Sequence, residues 1–535
     1  MWVKKKFKKR PNDKDDFIKQ LGDIRGIENI DRFLNPTDDD LHSPYLLKNI
    51  EIACNRITET IDTGQKITIS YDSDMDGVSA GTIMYKYLIN LTRNVHIAYH
   101  QRSDGHGVGN QFEMIDDDTS LLIIVDSSTN DVEACKELTK KGIDIVILDH
   151  HDVEKENPYA IIVNPQQSDC RYPNKNICGA GVTYKALQVL DDLNNSDYAD
   201  DNICLVGIGT VADVMDLSVL ENRRLVMKAV QNFNNIGLIA LLKKLKVNKA
   251  TPTSFGFSIA PQLNGVMRMN NIELAINLLL AEDEDEIKSL IKAIVTLNEE
   301  KKRKEQELIN MYKSSIIDDC KFVFAIGEES SKSFNGSVAQ NLLSEYNKPS
   351  LVLRSFDGKL SGSFRGEIKS FLENSGLVIS VAGHQGAGGV ELLEENLEEL
   401  KTYINKNFVG TMDKKTFYDI EVNAKDVTME LAQAIEKFNY ITGNGHQPLK
   451  LRIDGLIVTD ERNKMGKDPS VYHYKIPTDK VDLVKFKTTE DFAEEVDLFD
   501  KIDVIGQLNI NSWYNSGKKQ MITTLQVFLD EYKIM

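Results

Sequence analysis

KITISYDSDMDG, residues 66–77, runs from a β-branched, apolar segment straight into three alternating aspartates, Asp72, Asp74 and Asp76, and a glycine. LLIIVDSS (121–128) and IDIVILDHHD (143–152) repeat the arrangement, ending in Asp126 and in Asp149, His150, His151 and Asp152. The spacing predicts strands over Lys66–Tyr71, Leu121–Val125 and Ile143–Leu148, with a short fourth over Ile161–Val163. Helices are predicted between them, over Gly77–Leu91 and Val132–Lys141. Continuous apolar strands alternating with helices indicate an α/β fold with a parallel sheet covered on both faces. Ligands of such sheets bind beyond the carboxyl ends of the strands, so these acidic and imidazole groups are expected to share one crevice.

Carboxylates crowded in that way either raise their pKa values or bind cations. Imidazole added to carboxylate makes an O/N donor set that suits Mn²⁺ or Mg²⁺ better than zinc. Two such ions, about 3.5–4 Å apart, can activate a water and neutralise a phosphoryl group. Taken singly, each motif has a plainer reading. D-x-D-x-D-G also describes a calcium loop, and an Asp after a strand is most often a helix cap. Three strand ends together outweigh those readings. LVGIGTVAD (205–213) adds Asp213 at the end of an apolar, small-residue run, where a buried carboxylate needs a partner.

Around this core, the 535 residues predict about three to four domains. Residues 1–44 read as a loosely ordered basic and acidic entry segment, with the basic run Lys4–Arg10. The strand–helix alternation fills 45–245. A linker over 246–318 carries a long connecting helix, with Ile287, Leu290, Ile291, Ile294 and Leu297 at helical spacing and a solvated, charged far end. A second, smaller α/β domain covers 319–410, from KFVFAI (321–326) to AGHQGAGG (382–389). Strand-like runs at 449–458, 481–487, 504–510 and 521–529 suggest a small β-barrel over 411–535.

Hydrophobic residues are 41% of the chain, which excludes global disorder. No apolar run approaches the ~18 residues of a membrane span, and no apolar stretch follows the basic N-terminus. The six cysteines form no C-x-x-C pair. A reduced, cytoplasmic setting without membrane contact is the expectation. The formal charge of −18 argues against coating nucleic acid by bulk charge. It leaves room for a narrow, cation-lined passage between the two α/β domains.

The motifs also come in an order. After the three strand ends follow NPQQSDCRYP (164–173), CGAGVTYKAL (178–187), GIGTVADVMDL (207–217), ENRR (221–224) and IAPQLNGVMRM (259–269). LNEEKKRKE (297–305), SGSFRG (361–366), the glycine-rich AGHQGAGG and GNGHQPL (443–449) complete the set. This set resembles the DHH phosphoesterase superfamily, and within it the RecJ type of single-strand-specific DNA exonuclease. The resemblance is strong over about 45–400 and weaker to the C-terminus, where the barrel looks like that family's OB-like nucleic-acid-binding domain.

The resemblance implies two Mn²⁺ or Mg²⁺ ions held by Asp74, Asp76, Asp126, His150 and Asp213. Asp72 and His151 stand beside them as catalytic groups, with His151 on the scissile phosphate or shared water and Asp149 orienting His150. Arg102 matches a substrate-side position, whereas His106 stands where the family shows an aromatic. Arg268, Ser363 and Arg365 resemble the pocket for a 5′ end, where guanidinium can pair bidentately with phosphate. Gly383, Gly386, Gly388 and Gly389 would let backbone amides approach a phosphate, with His384 contacting the DNA backbone. Trp513 is the aromatic singled out for stacking a base, among Tyr514, Tyr472, Tyr474 and nearby lysines.

The activity implied is metal-dependent 5′-to-3′ degradation of single-stranded DNA to 5′-mononucleotides, in DNA repair and recombination. The implied partners are single-stranded DNA and a single-strand-binding protein or helicase, and the implied state is a monomer. Two alternatives remain: a nanoRNase or cyclic-dinucleotide phosphodiesterase of the same superfamily, and a non-catalytic single-strand-binding relative.

Overall fold

The computed structural model describes residues 2–4, 14–313, 316–317, 320–327, 332–409, 416–466, 471–515, 517 and 519–535. The apolar runs form a five-stranded, all-parallel sheet. Its spatial order is Val95–Tyr99, Ile67–Tyr71, Leu121–Val125, Asp144–Leu148, Ile161–Val163. The inner strands Ile67–Tyr71 and Leu121–Val125 are buried at every position. Their side chains serve two cores, one on each face of the sheet. The edge strand Val95–Tyr99 was not legible in advance, because it is only partly buried and lacks a continuous apolar run.

Helix Glu284–Lys313 links this domain to the next. Its 30 residues reach about 45 Å. Ile287, Ile291 and Ile294 pack in the first domain, as the periodicity predicts. The far end is not merely solvated: Ile309 and Tyr312 enter a core of the second domain with Val323, Ala325 and Val352. That domain is built on a six-stranded mixed sheet.

The C-terminal domain holds a seven-stranded mixed sheet, with helix Met429–Phe438 packed on it. Two 15-residue strands, Lys501–Asn515 and Gln520–Ile534, form its long central hairpin. The N-terminal segment departs from the loose tail expected. Helices Lys14–Arg25 and Ile30–Leu34 bury Phe17, Leu21, Phe33 and Leu34 in the C-terminal domain's core. The apolar spacing was present in sequence, but the charges around it dominated the reading. Of the basic run, residues 5–10 lie outside the described residues.

The first and C-terminal domains are locked together just beyond Asp213. Arg223, fully buried, donates to the carbonyls of Phe33 (2.6 Å) and Ile441 (2.8 Å), and its guanidinium lies 3.9 Å from the Phe33 ring centroid. His446 packs between Phe33 and Phe438 at centroid distances of 4.9 and 5.0 Å. Leu217 N donates to Asn444 O (2.9 Å), and Asn444 Nδ2 donates to Val214 O (2.8 Å). Gly445, at φ +72°, comes so close that a Cβ would lie 1.7 Å from Asp216 Oδ1. The ENRR and GNGHQPL motifs are therefore the two halves of a domain joint. Among the described residues no single helix is long and apolar enough to cross a membrane.

Candidate metal centre and nucleic-acid cleft

Each acidic group sits where its own element delivers it. Asp74 caps helix Met75–Leu88, accepting from the amides of Asp76 and Gly77 at 3.1 Å each, so the capping reading of the motif is also true. Asp76 is turned inward by the N-terminus of helix Gly179–Asn194, whose Gly179 and Ala180 amides donate to it at 2.6 and 3.1 Å. Two glycines make room: a Cβ at Gly179 would lie 2.4 Å from Asp126 Oδ1, and one at Gly209 would lie 2.3 Å from Asp76 Oδ1. Asp126 itself holds a left-handed φ of +60°, a strained position for a non-glycine residue. Its amide is fixed by a 2.8 Å bond to Leu148 O on the neighbouring strand. Asp213 ends helix Ile203–Ala212.

These groups form overlapping sets whose ligand atoms lie within 4.8 Å of one another: Asp72, Asp74 and Asp126; Asp76, His150 and Asp213; and Asp126, His150 and His151. Asp72 thus stands inside one cluster of potential ligands, not beside it. His150 Nε2 lies 3.2 Å from Asp126 Oδ1 and 3.5 Å from Asp213 Oδ2. Yet His150 Nε2 and Asp126 Oδ1 are buried and make no hydrogen bond among the described residues. Two unsatisfied lone pairs at that spacing fit adjacent sites of one octahedral cation, whose ligands at 2.0–2.1 Å stand roughly 3 Å apart. The donor set of oxygens and imidazole matches Mn²⁺ or Mg²⁺.

The electrostatics agree. Burial, reinforced by Asp76, Asp74 and Asp72, pushes the Asp126 carboxyl well above its ordinary range. Burial and the charges of Asp76 and Asp74 push Asp213 up to about 8. Asp74 is raised by burial and by Asp72. Asp72 differs: burial opposes ionisation, but hydrogen bonds from His100 and His106 hold it well below the usual range. His106 Nδ1 lies 3.2 Å from Asp72 Oδ2, and that bond raises its own pKa against the pull of burial.

The expectation for Asp149 needs correcting. Its Oδ1 takes the ring Nδ1 of His151 (2.8 Å) and the backbone amide of His150 (2.7 Å), and Oδ2 takes Thr129 N (3.1 Å). Asp149 therefore orients the His151 ring and fixes His150 only through its backbone. Its hydrogen bond raises His151 to about 9, against desolvation. The His151 side chain remains largely exposed toward the site.

A cavity of about 180 Å³ opens on these groups, bordered by Asp74, Asp76, Asp213, Asn264, Arg102 and Arg268. Arg102 Nη1 donates to Ser73 O (3.2 Å) and lies 3.6 Å from Asp74 Oδ2. Burial lowers the pKa of Arg268, helped by the charge of Arg102, while Glu305 opposes it. Burial also lowers that of Arg365, helped by the charge of Arg268. Arg268 thus feels both Arg102 and Arg365, guanidiniums from two other segments, an arrangement that favours a bound anion. Ser363, two residues before Arg365, shares its strand face.

The glycine-rich stretch is folded as paired strands. It is a β-hairpin of Ser380–His384 with Ala387–Leu393, in which Gly383 pairs with Gly388. A Cβ at Gly388 would lie 1.9 Å from Ala382 O and 2.8 Å from the Phe364 ring, so strand packing alone requires glycine there. Gly383 holds φ +104° at the hairpin's end. The His384 side chain lies outside the described residues.

A larger cleft, about 980 Å³, runs between the first and C-terminal domains. It shares Ala212, Asn264 and Arg268 with the smaller cavity. Phe257, 83% exposed in a π-helical turn, stands on one wall, with Tyr440 and Phe528 among the residues of the other domain. Lys249 and Lys301 supply positive charge. Trp513 is not in this lining: the central hairpin meets the cleft at Gln507–Ile510 and Phe528, and Trp513 lies further toward its tip. Sequence reasoning missed Phe257, whose signal lay inside the IAPQLNGVMRM region's preceding turn, and it missed His100, which carries no motif.

Fold and site together describe an α/β protein with a carboxylate- and imidazole-rich cluster suited to divalent cations and an appended β-domain, and comparison with known proteins agrees in fold. Residues 66–210 match the N-terminal domain of the DHH family, and residues 418–524 match the RecJ OB domain. The chain resembles RecJ along most of its length. The single-stranded-DNA-specific exonuclease RecJ of Bacillus subtilis is 28% identical over 521 residues, covering 92% of this chain and 65% of that protein. The chain therefore spans less than two thirds of that relative. The SPbeta prophage-derived protein YorK of the same species is 27% identical over 538 residues, 92% of each chain. The crystal structure of Thermus thermophilus RecJ in complex with Mn²⁺ superposes with a TM-score of 0.75 at 20% identity, covering 96% of this chain and 75% of that one. The shared fold thus includes the C-terminal domain.

Proposed function

We propose that this chain is a divalent-metal-dependent exonuclease that degrades single-stranded DNA from its 5′ end to 5′-mononucleotides. The observation that carries the reading is the pair of unsatisfied, buried ligand atoms, Asp126 Oδ1 and His150 Nε2, amid overlapping clusters of aspartates. Asp72, Asp74 and Asp126 would hold one Mn²⁺ or Mg²⁺ ion, and Asp76, His150 and Asp213 a second, with Asp126 close to both sets. When bound, such ions supply an acidified water and neutralise charge on the scissile phosphate.

The chain's own residues supply the rest. His151, fixed by Asp149, would donate its Nε2–H to a non-bridging oxygen of the scissile phosphate. The bond broken is the one between phosphorus and the 3′ oxygen of the terminal nucleotide, which leaves as a 5′-mononucleotide with a 3′ hydroxyl. Arg102, Arg268 and Arg365 would take the terminal 5′-phosphate, with Ser363 beside them, which sets the polarity of entry. The remaining strand would leave through the cleft past Phe257 and the C-terminal domain, whose match to the RecJ OB domain supports single-strand binding. A role in repair or recombination, a cytoplasmic setting, and a single-strand-binding protein or helicase as presenter of the substrate follow from the same reading.

The test is a single-stranded 30-mer labelled at its 5′ end, incubated with Mn²⁺ and then with EDTA. Immediate release of labelled mononucleotide, stopped by EDTA, is expected. An untouched 30-mer alongside rapid cleavage of dinucleotides would overturn the reading in favour of a short-oligonucleotide phosphodiesterase.

A further inference from the structure

A buried polar chain runs up to Asp72. Ser70 Oγ donates to Gln111 Oε1 at 2.7 Å. Gln111 Nε2 donates to the carbonyl of Tyr71 at 3.0 Å and lies 2.8 Å from His100 Nδ1. A carbonyl can only accept, so the amide nitrogen of Gln111 must face Tyr71, and its second N–H then meets His100. Nδ1 of His100 is therefore an acceptor, and the ring proton sits on Nε2. That nitrogen lies 3.3 Å from Asp72 Oδ1 and 3.0 Å from Ser73 Oγ, so one N–H is shared between them. Ser70, Asp72, Ser73, His100 and Gln111 are all buried.

We infer that His100 is a positioning residue for the metal centre: its Nε2–H holds the Asp72 carboxylate in the orientation that presents it to a cation, and Gln111 fixes the tautomer that makes this possible. The inference rests on the metal reading of the previous section. The arrangement is the reverse of a histidine ligand oriented by a carboxylate; here a carboxylate ligand is oriented by a histidine, itself oriented by an amide. Asp72 has an exposed partner as well, His106, but only the His100 side is sheltered from solvent, where a polar contact is weakened less by water.

The test measures Mn²⁺ binding by titration calorimetry, with the Mn²⁺-induced rise in Tm as a second readout. The full-length wild type is compared with His100→Leu, His100→Gln and Asp126→Ala. Loss of such an outer hydrogen bond weakens metal affinity by about 10–100-fold, and that is expected of His100→Leu. His100→Gln, whose amide N–H can stand near the position of Nε2, is expected to recover most of it; a merely structural role would not be rescued in affinity. Wild-type Mn²⁺ affinity in a folded His100→Leu variant overturns the inference while Asp126→Ala, having lost binding, keeps the metal reading intact. Absence of Mn²⁺ binding in the wild type overturns both. Should the leucine variant not fold, ¹⁵N-histidine spectra of the metal-free wild type, assigned with His100→Gln, decide: an Nε2-protonated ring is expected, and an Nδ1-protonated one overturns the inference.

Discussion

In the five-stranded parallel sheet the acidic and imidazole groups of the site, apart from Asp213 at a helix end, hang at or just beyond a strand's carboxyl end, whereas in the seven-stranded C-terminal sheet the residues that meet the cleft, Gln507–Ile510 and Phe528, lie within long strands. Parallel strands all point their carboxyl ends the same way. A short local pattern, apolar run then acid, therefore locates a side chain in three dimensions. A mixed sheet offers no such rule. Some neighbouring strands run parallel and others antiparallel, and what decides which stretch faces the cleft is where another domain docks. That docking is set by Arg223, His446 and the loop around Gly445, none of which touches the cavity.

Five substitutions, one of them read across a pH series, press on that contrast. The largest effect is expected at a group of the metal centre: Asp213→Ala, at the end of helix Ile203–Ala212, should lower hydrolysis by about 10³-fold or more with an unchanged circular dichroism spectrum. Retained activity would break the claim that these ends form one centre. The joint comes next. Arg223→Met leaves the carbonyls of Phe33 and Ile441 without their donor, so stability should fall by about 4 kcal/mol, roughly 2 for each stranded carbonyl, read by urea unfolding.

The joint should also be acid-sensitive. Burial, helped by the nearby charge of Arg223, lowers His446 to about 4. With the folded pKa below the ordinary value of about 6.5, His446 contributes stability that is whole above pH 6.5 and is lost as pH falls toward 4, at most about 3 kcal/mol. His446→Phe should flatten that part of the Tm-against-pH curve; a variant curve parallel to the wild type's would contradict it. On the cleft wall, Phe257→Ala should raise KM for a 30-mer by about 10-fold while leaving cleavage of dinucleotides unchanged, as expected for one lost base stack. The smallest effect belongs to Trp513, 39% exposed and away from the cleft: Trp513→Ala should change strand affinity by less than about 0.5 kcal/mol.

The same contrast explains what could be read in advance. The inner strands were legible because Leu121–Val125 and Asp144–Leu148 are continuous apolar runs, and the partly buried Val95–Tyr99 was not. The metal-site candidates were legible because each follows its own strand or apolar helix. Asp72 was read as standing beside them, since nothing in its spacing distinguishes a ligand from a neighbour. Asp149 was tied to the wrong histidine, because the turn that brings its carboxylate to the His151 ring is a matter of backbone geometry. The glycines at 383 and 388 were read for the approach of a phosphate; their spacing could not foretell that they also permit a close approach between two strands and a phenylalanine. His100 and Phe257 carry no motif, and ENRR gives no hint of what Arg223 meets. Their roles arise only when distant segments are brought together, Gln111 to His100, Phe33 to Arg223, and the C-terminal domain across from Phe257.

The central claim is that four separate segments build one site for two divalent ions. Titration calorimetry of the metal-free, full-length protein with Mn²⁺ tests it most directly. Two ions per chain are expected for the wild type, with binding lost or halved in Asp126→Ala and Asp213→Ala. A wild type that takes up no Mn²⁺, or variants that bind two ions as the wild type does, would contradict it.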